Sequence, residues 1–487
     1  MMQISSGAII SLVILVMNMI FAITVIFLER RNVAVTWAWL LVLIFLPVVG
    51  FVIYIFLGQN LNRRKVYRLA NEQINTLDQI VAKQHSELES MSFHDPAAEQ
   101  HRRLIQMNLI SGYSVYTQDN EVTIFTDGMS KFADLLQKIR EAKHHIHIQY
   151  YIFRGDDQGR EVLKALAAKA TDGVEVRLLI DHLGSINTPG HFFDELRRAG
   201  GKVEYFFPLK LPTLSLRLNF RNHRKLVIID GTIGYIGGFN VGDEYLGLNP
   251  RFGYWRDTHL RIEGSAVRQM QVQFLMDWQV SQKSPEADRF NRVEMSYLPD
   301  VPGRGRAGIQ ILSSGPNNAE EQIKNAYIRM ITSAKRYVYI QTPYFIPDES
   351  MYAALRIAAM SGVDVRLMMP GKPDHKFVYW ASISYFEHML AAGVSCYVYK
   401  KGFLHAKTLV VDGEVASVGT ANMDIRSFRL NFESNAIIYD SASAAKLARI
   451  FLDDLEHCEQ MTLEEYKKRP LSLRFRESIA RLLSPIL

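Results

Sequence analysis

The sequence predicts an α/β protein made of two tandem domains of one mixed-sheet plan, flanked by helices, related by a pseudo-two-fold axis and preceded by a two-helix transmembrane hairpin. Three observations carry the prediction. Strands and helices alternate from about residue 110 onward; a motif opening "HRKLVIIDG" at His223 returns as "HAKTLVVDG" at His405; and the first 57 residues hold two uncharged apolar runs.

The apolar runs cover 7–28 and 33–57. At about 1.5 Å per residue each has the length to cross a hydrocarbon core of roughly 30 Å. A cleaved signal peptide would have a shorter apolar region and a small-residue cleavage site. Arg30 and Arg31 occupy the short loop, whereas Arg63, Arg64, Lys65 and Arg68 crowd behind the second run. Positive-inside counting therefore puts the rest of the chain in the cytoplasm. The expectation is a multi-pass protein of the cytoplasmic (inner) membrane, with the hairpin over 1–60 and a juxtamembrane linker over 61–110.

The whole chain of 487 residues is 48% hydrophobic and 22% charged, which excludes disorder and a fully polytopic membrane protein. Its net charge of +6 suits an anionic partner, but there is no basic stripe with interleaved aromatics of the kind that binds nucleic acid. Cys396 and Cys458 are the only cysteines and form neither a disulfide framework nor a zinc spacing.

The element order is written twice. Strand 144–153, helix 159–173 and strand 174–181 correspond to strand 336–345, helix 349–362 and strand 363–370. Gln149 and Gln341, Gly173 and Gly362, His223 and His405 recur at a nearly constant offset, the mark of a duplicated domain. The domains are expected over 111–300 and 301–465, joined through the Pro- and Gly-containing stretch 296–308. A tail over 466–487 places Leu471, Phe475, Ile479 and Leu482 on one helical face, which fits a packed helix or an interfacial one.

Each motif reads as a strand, a tight Asp-Gly turn and a returning strand that ends in Asn: His223, Lys225, Asp230 and Asn240, then His405, Lys407, Asp412 and Asn422. Period-two alternation would put each His and Lys on one face. Imidazole, ammonium and carboxamide converging on one spot suit a phosphate, with Lys as cationic clamp and Asn as neutral donor. A single copy is explained equally well by a strand-end His beside a solvated Lys. Two copies with identical spacing are not.

His-x-Lys-x4-Asp followed by Gly-(Gly/Thr)-x-Asn, present twice, resembles the phospholipase D superfamily. With the hairpin and the phrases "FLPVVGFVIYIFLGQN", "GGFNVGDEYLG", "WRDTHLRIEG" and "GTANMDIRSFRLNFE", the chain is similar to bacterial cardiolipin synthases. The resemblance implies that one His attacks the phosphorus of phosphatidylglycerol to give a phosphatidyl-histidine while the other protonates the departing glycerol. A second phosphatidylglycerol then displaces the enzyme. It further implies His223 as nucleophile and His405 as acid and base, no cofactor or metal, an anionic membrane as partner, and no nucleic acid; an oligomer is compatible with it. It counts Asp230 and Asp412 with the catalytic residues, although their position favours a turn-fixing role.

A nucleophilic His needs an orienting carboxylate on its other nitrogen. Asp257 and Glu433 hold matching places after the two motifs, where a plain surface acid at a strand start is the alternative. His144, His145 and His147 share the first core strand and have no ligand partners nearby, so they read as satisfied core histidines. Tyr150, Tyr151 and Tyr344 close the paired strands and suit either core packing or a lipid pocket. The apolar stretch 205–220, with Lys210 and Arg217, suits either a core strand pair or a segment dipping into the bilayer surface. Rival functions are a phospholipase D that transfers to water, a transferase using another alcohol, a nuclease, and a catalytically dead membrane scaffold, which would be expected to have lost motif residues.

Overall fold

Strands such as Glu175–Asp181 and Leu226–Ile229 are buried along almost their whole length, on both faces, as suits a sheet covered by helices on either side. The computed structural model describes residues 71–208, 219–282 and 295–482 except Pro302 and Ala319, with 33–46 and positions 16, 19, 20, 23, 50 and 66. Within them one long mixed sheet runs through the molecule.

In the first half the strand order from the centre outward is Thr117–Phe125, His259–Glu263, Ile233–Gly237, Leu226–Ile229, His145–Tyr150, Glu175–Asp181 and Lys202–Phe206. In the second it is Ala307–Ser314, Asn431–Tyr439, Val415–Gly419, Thr408–Val411, Tyr337–Gln341, Asp364–Pro370 and Ser395–Tyr399, with Cys458–Met461 added at the edge. The orders are the same. The halves join where Thr117–Phe125 meets its own counterpart Ala307–Ser314 antiparallel, Thr117 opposite Ile309. Antiparallel pairing of equivalent strands is what a two-fold relation requires.

The expected elements fall close to the observed ones. Helices Asp157–Thr171 and Glu349–Met360 follow the inner strands of their halves, capped at the N-terminus by Asp156 and Asp348. The motif strands are shorter than expected. Leu226–Ile229 and Thr408–Val411 begin only after His-x-Lys, so neither His lies on a strand of the sheet. Each hairpin turns through Asp-Gly at positive φ: Asp230 at 53° and Gly231 at 66°, Asp412 at 57° and Gly413 at 69°.

The stretch expected as a linker carries helices Asn71–Glu87, Pro96–Gln100 and Arg102–Gly112. Leu88, Ala98, Leu104 and Ile105 are buried in the core of the second half, and Asn108 Nδ2 donates to Gln310 and to Tyr439. In the tail, Leu463–Lys468 and Leu471–Leu482 are helical. Of the expected hairpin, helix Val33–Phe45 is described; most of the first run lies outside the described residues. Among the described residues no helix is long and apolar enough to cross a membrane. Positions 209–218 of the apolar stretch also lie outside them.

Candidate active site

Two short strand exchanges between the halves build the site. Arg221–Asn222, just ahead of His223, pairs in parallel with Asn431–Phe432, just ahead of Glu433. Gly402–Leu404, just ahead of His405, pairs in parallel with Tyr254–Arg256, just ahead of Asp257. The exchange then closes on the histidines themselves: His223 N–H donates to Phe432 O at 2.9 Å, and His405 N–H to Arg256 O at 2.7 Å. Each imidazole is thereby carried to a carboxylate of the opposite half.

His223 Nδ1 lies 2.9 and 3.0 Å from the two oxygens of Glu433, and His405 Nδ1 lies 2.6 Å from Asp257 Oδ2. A carboxylate only accepts, so Nδ1 carries the hydrogen and the lone pair is left on Nε2. Neither Nε2 makes a hydrogen bond among the described residues. The acids are fully buried and the histidines nearly so. Burial pushes both imidazoles down to about 4, against the attraction of their carboxylates and with the help of the lysines. Burial would raise Glu433 and Asp257, but the histidines and lysines facing them hold both below the usual carboxylate range. The empty site is thus set for neutral imidazoles on charged carboxylates.

Lys225 and Lys407 curl back so that each Nζ donates to the carbonyl of its own His. Burial lowers Lys225 to about 7 and Lys407 to about 8, and each repels the other half's histidine. An anion between them would relieve both effects. Asn240 Oδ1 accepts from the Ile152 amide at 3.1 Å and its Nδ2 faces the Tyr245 hydroxyl; Asn422 is buried beside Asp424, with its Oδ1 unpartnered. The edge of the Tyr151 ring meets His223 at 4.9 Å between centroids, and Lys225 Nζ stands 5.4 Å from the ring. Tyr344 is tied to Asp374, whereas Tyr150 is buried against Lys131.

Asp230 and Asp412 are placed elsewhere, at the far ends of their strands. Asp230 accepts the backbone amides of Lys143, His144 and His145 at 2.8 to 3.0 Å; Asp412 accepts those of Lys335, Arg336 and Tyr337 at 2.8 Å. Their grouping with the reacting residues is therefore corrected: both pin the start of the neighbouring strand to the turn, and neither reaches a motif histidine. His145 and His147 share Gln271, and His147 stacks on Phe274 with ring centroids 4.7 Å apart.

Several residues around the site escaped the sequence reading. Arg224, between His223 and Lys225, holds Asp277 with two 2.8 Å contacts; Arg256, beside Asp257, holds Asp454. Gln149 and Gln341 donate to the same two aspartates at 2.6 and 2.7 Å. Their recurrence marks the repeat, and that pairing was the available signal. Thr420 donates its hydroxyl to Glu433 at 2.5 Å, whereas its counterpart Gly238 lies where a Cβ would come within 2.0 Å of Asp257.

A family model described as cardiolipin synthase, phospholipase D-like domain, matches residues 135–278 and again 327–455. The chain is 52% identical to the major cardiolipin synthase of Bacillus subtilis, covering 97% of this chain and 98% of that protein. It belongs to the cardiolipin synthase family of phospholipase D-like proteins. A cardiolipin synthase of Listeria monocytogenes is 49% identical over 98% of both chains, and cardiolipin synthase 2 of Staphylococcus epidermidis is 50% identical over 97% of this chain and 96% of its own. In this family member, residues 16–59 also match a family described as phospholipase D-nuclease N-terminal. The crystal structure of a Haemophilus influenzae phosphatidylserine synthase shares the fold, with a TM-score of 0.62 and 14% identity, over 80% of this chain and 100% of that one.

Proposed function

We propose that the protein is a phosphatidyltransferase that makes cardiolipin and glycerol from two molecules of phosphatidylglycerol. The observation that carries the reading is the crossed pair of buried His–carboxylate contacts, which leaves both Nε2 atoms without a described hydrogen bond and both histidines within the electrostatic reach of both lysines. With the phosphodiester anion bound between the lysines, His405 takes up a proton from solvent on Nε2; the neutral His223 Nε2 attacks phosphorus, the bond to the glycerol oxygen breaks, and His405 gives that oxygen its Nε2 proton. The same His405 then takes the proton from a hydroxyl of the second phosphatidylglycerol, whose oxygen displaces His223.

The division of labour is supported by the carboxylates. Glu433 spreads its charge over Thr420 and Asn431 as well as His223, whereas Asp257 serves His405 and the Thr258 amide. The imidazole facing the less shared carboxylate has the stronger claim on the one proton the step needs. Lys225 and Lys407, with Asn240 and Asn422, neutralise the pentacoordinate phosphorane. The membrane hairpin over 7–28 and 33–57 would anchor the enzyme in the inner membrane with both halves on the cytoplasmic face. The N-terminal family match and the basic cluster at 63–68 support that placement.

The test is to supply purified enzyme with phosphatidylglycerol labelled in the phosphate, in liposomes, and to identify the lipid products. Cardiolipin with free glycerol is expected. Phosphatidic acid as the main product would replace this reading with a hydrolase.

A further inference from the structure

Helix Leu471–Leu482 exposes the apolar side chains at every turn of one face. Leu471 is 79% exposed, Phe475 67% and Leu482 80%, with Ile479 between them and Phe377 of the adjoining helix Lys376–Ser384 at 56%. An exposed stripe of this size on a folded domain calls for a partner. The opposite face is firmly held. Ala480 is fully buried, and Glu477 is buried and bonded twice to Arg469 at 2.7 and 2.9 Å. The stripe is therefore presented by a fixed helix.

Charge identifies the partner. Glu477 is the only acid of the helix and points inward, while Arg474, Arg476 and Arg481 flank the stripe. Arg474 is offset by Glu387 at 3.6 Å; the other two face rings. An apolar stripe between arginines matches an anionic lipid surface. A second copy docking face to face would set these arginine rows against each other. The helix is also on the site side: it packs on Lys376–Ser384, which starts two residues after Asp374, and Asp374 bonds Tyr344 and acts on Lys407.

We propose that helix Leu471–Leu482, with Phe377, lies in the headgroup layer of an anionic bilayer and holds the mouth of the site against it. The inference rests on the reading of a bilayer-borne substrate, and its test is chosen to stand apart from activity. The full chain carrying Cys458→Ser and Phe475→Cys, with buried Cys396 left in place, is spin-labelled and reconstituted in phosphatidylglycerol-rich vesicles. The label should collide with dissolved oxygen and be shielded from an aqueous nickel chelate. A label at exposed Met360, at the end of helix Glu349–Met360 and outside this patch, should show the reverse.

An aqueous reading at 475 overturns the proposal. So does spin–spin broadening removed by diluting with unlabelled protein, which would assign the face to another copy. As a second arm, Phe475→Ser with Leu482→Ser should lower cardiolipin formation from vesicles by about tenfold and leave turnover in detergent micelles within about twofold. Equal losses in both would make the helix a mere structural support. A wild type that makes no cardiolipin would remove the proposed function while leaving the depth reading to decide the docking.

Discussion

His223 and Glu433 stand 210 positions apart in the chain and 2.9 Å apart in space. Its mirror contact, His405 to Asp257, crosses the seam the other way, so neither half holds a finished imidazole–carboxylate pair. Asp257→Asn and Glu433→Gln should each lower kcat by about 10³-fold with little change in KM, because the amide offers the wrong polarity to Nδ1–H. His223→Ala combined with Glu433→Gln should be scarcely worse than His223→Ala alone. Additive losses would show that the acid acts elsewhere.

The role assignment has a chemical readout. His405→Ala should let an acid-labile phosphatidyl adduct build up on His223, since attack can proceed slowly and resolution lacks its base. Quenched digests analysed by mass spectrometry should place the adduct at 223. An adduct at 405 in the His223→Ala protein would exchange the roles.

Asp230→Asn and Asp412→Asn should act on stability more than on chemistry. Each removes a carboxylate from three backbone amides and keeps a side chain tolerant of positive φ, at a cost of about 1–3 kcal/mol. Thermal midpoints should fall while kcat of the folded protein stays within a few-fold. A large loss of kcat at an unchanged midpoint would return these residues to the reaction.

The lysines set the alkaline limb of the pH profile. Lowered to about 7 and about 8 by burial, Lys225 and Lys407 lose their charge first in the free enzyme, so kcat/KM should fall as pH rises from 7 to 9. A bound phosphodiester anion raises both, so kcat itself should fall at higher pH. The histidines act on stability with the opposite limb. Their folded values of about 4 lie below the ordinary imidazole value of 6.5, so the unfolded chain binds more protons in between. Their stabilising contribution is complete above pH 6.5 and is lost as pH falls toward 4. Denaturant titrations at stepped pH check this.

Turnover should also survive exhaustive chelation by EDTA, because the proposed mechanism gives the charge neutralisation to two ammonium groups and two carboxamides. Loss restored by one divalent ion acting at the active site would contradict the assignment of charge neutralisation to Lys225 and Lys407.

Much of the architecture was readable because duplication doubles every weak signal. Gln149 and Gln341, or Asn240 and Asn422, would each be unremarkable alone. The crossing of the acids was not readable. It depends on the pairs Arg221–Asn222 with Asn431–Phe432 and Tyr254–Arg256 with Gly402–Leu404, which are too short to leave any periodicity. The buried Arg224–Asp277 and Arg256–Asp454 contacts were hidden for another reason: arginine and aspartate in these segments read as solvent-facing until the fold brings them together. The expected strand placement of His-x-Lys failed because these exchanges draw the chain out of the sheet one residue before each His.

The seam between Thr117–Phe125 and Ala307–Ser314 has the geometry of a self-complementary dimer contact enclosed in a single polypeptide. Two separate identical chains would receive every substitution twice, once on each side of the axis. Fusion lifts that restriction, and this chain uses the freedom: Arg224 in one copy corresponds to Ala406 in the other, and Gly238 to Thr420. The proposed division of labour, one histidine to bond to phosphorus and one to carry a proton, becomes available only when the copies can drift apart while remaining covalently matched one to one.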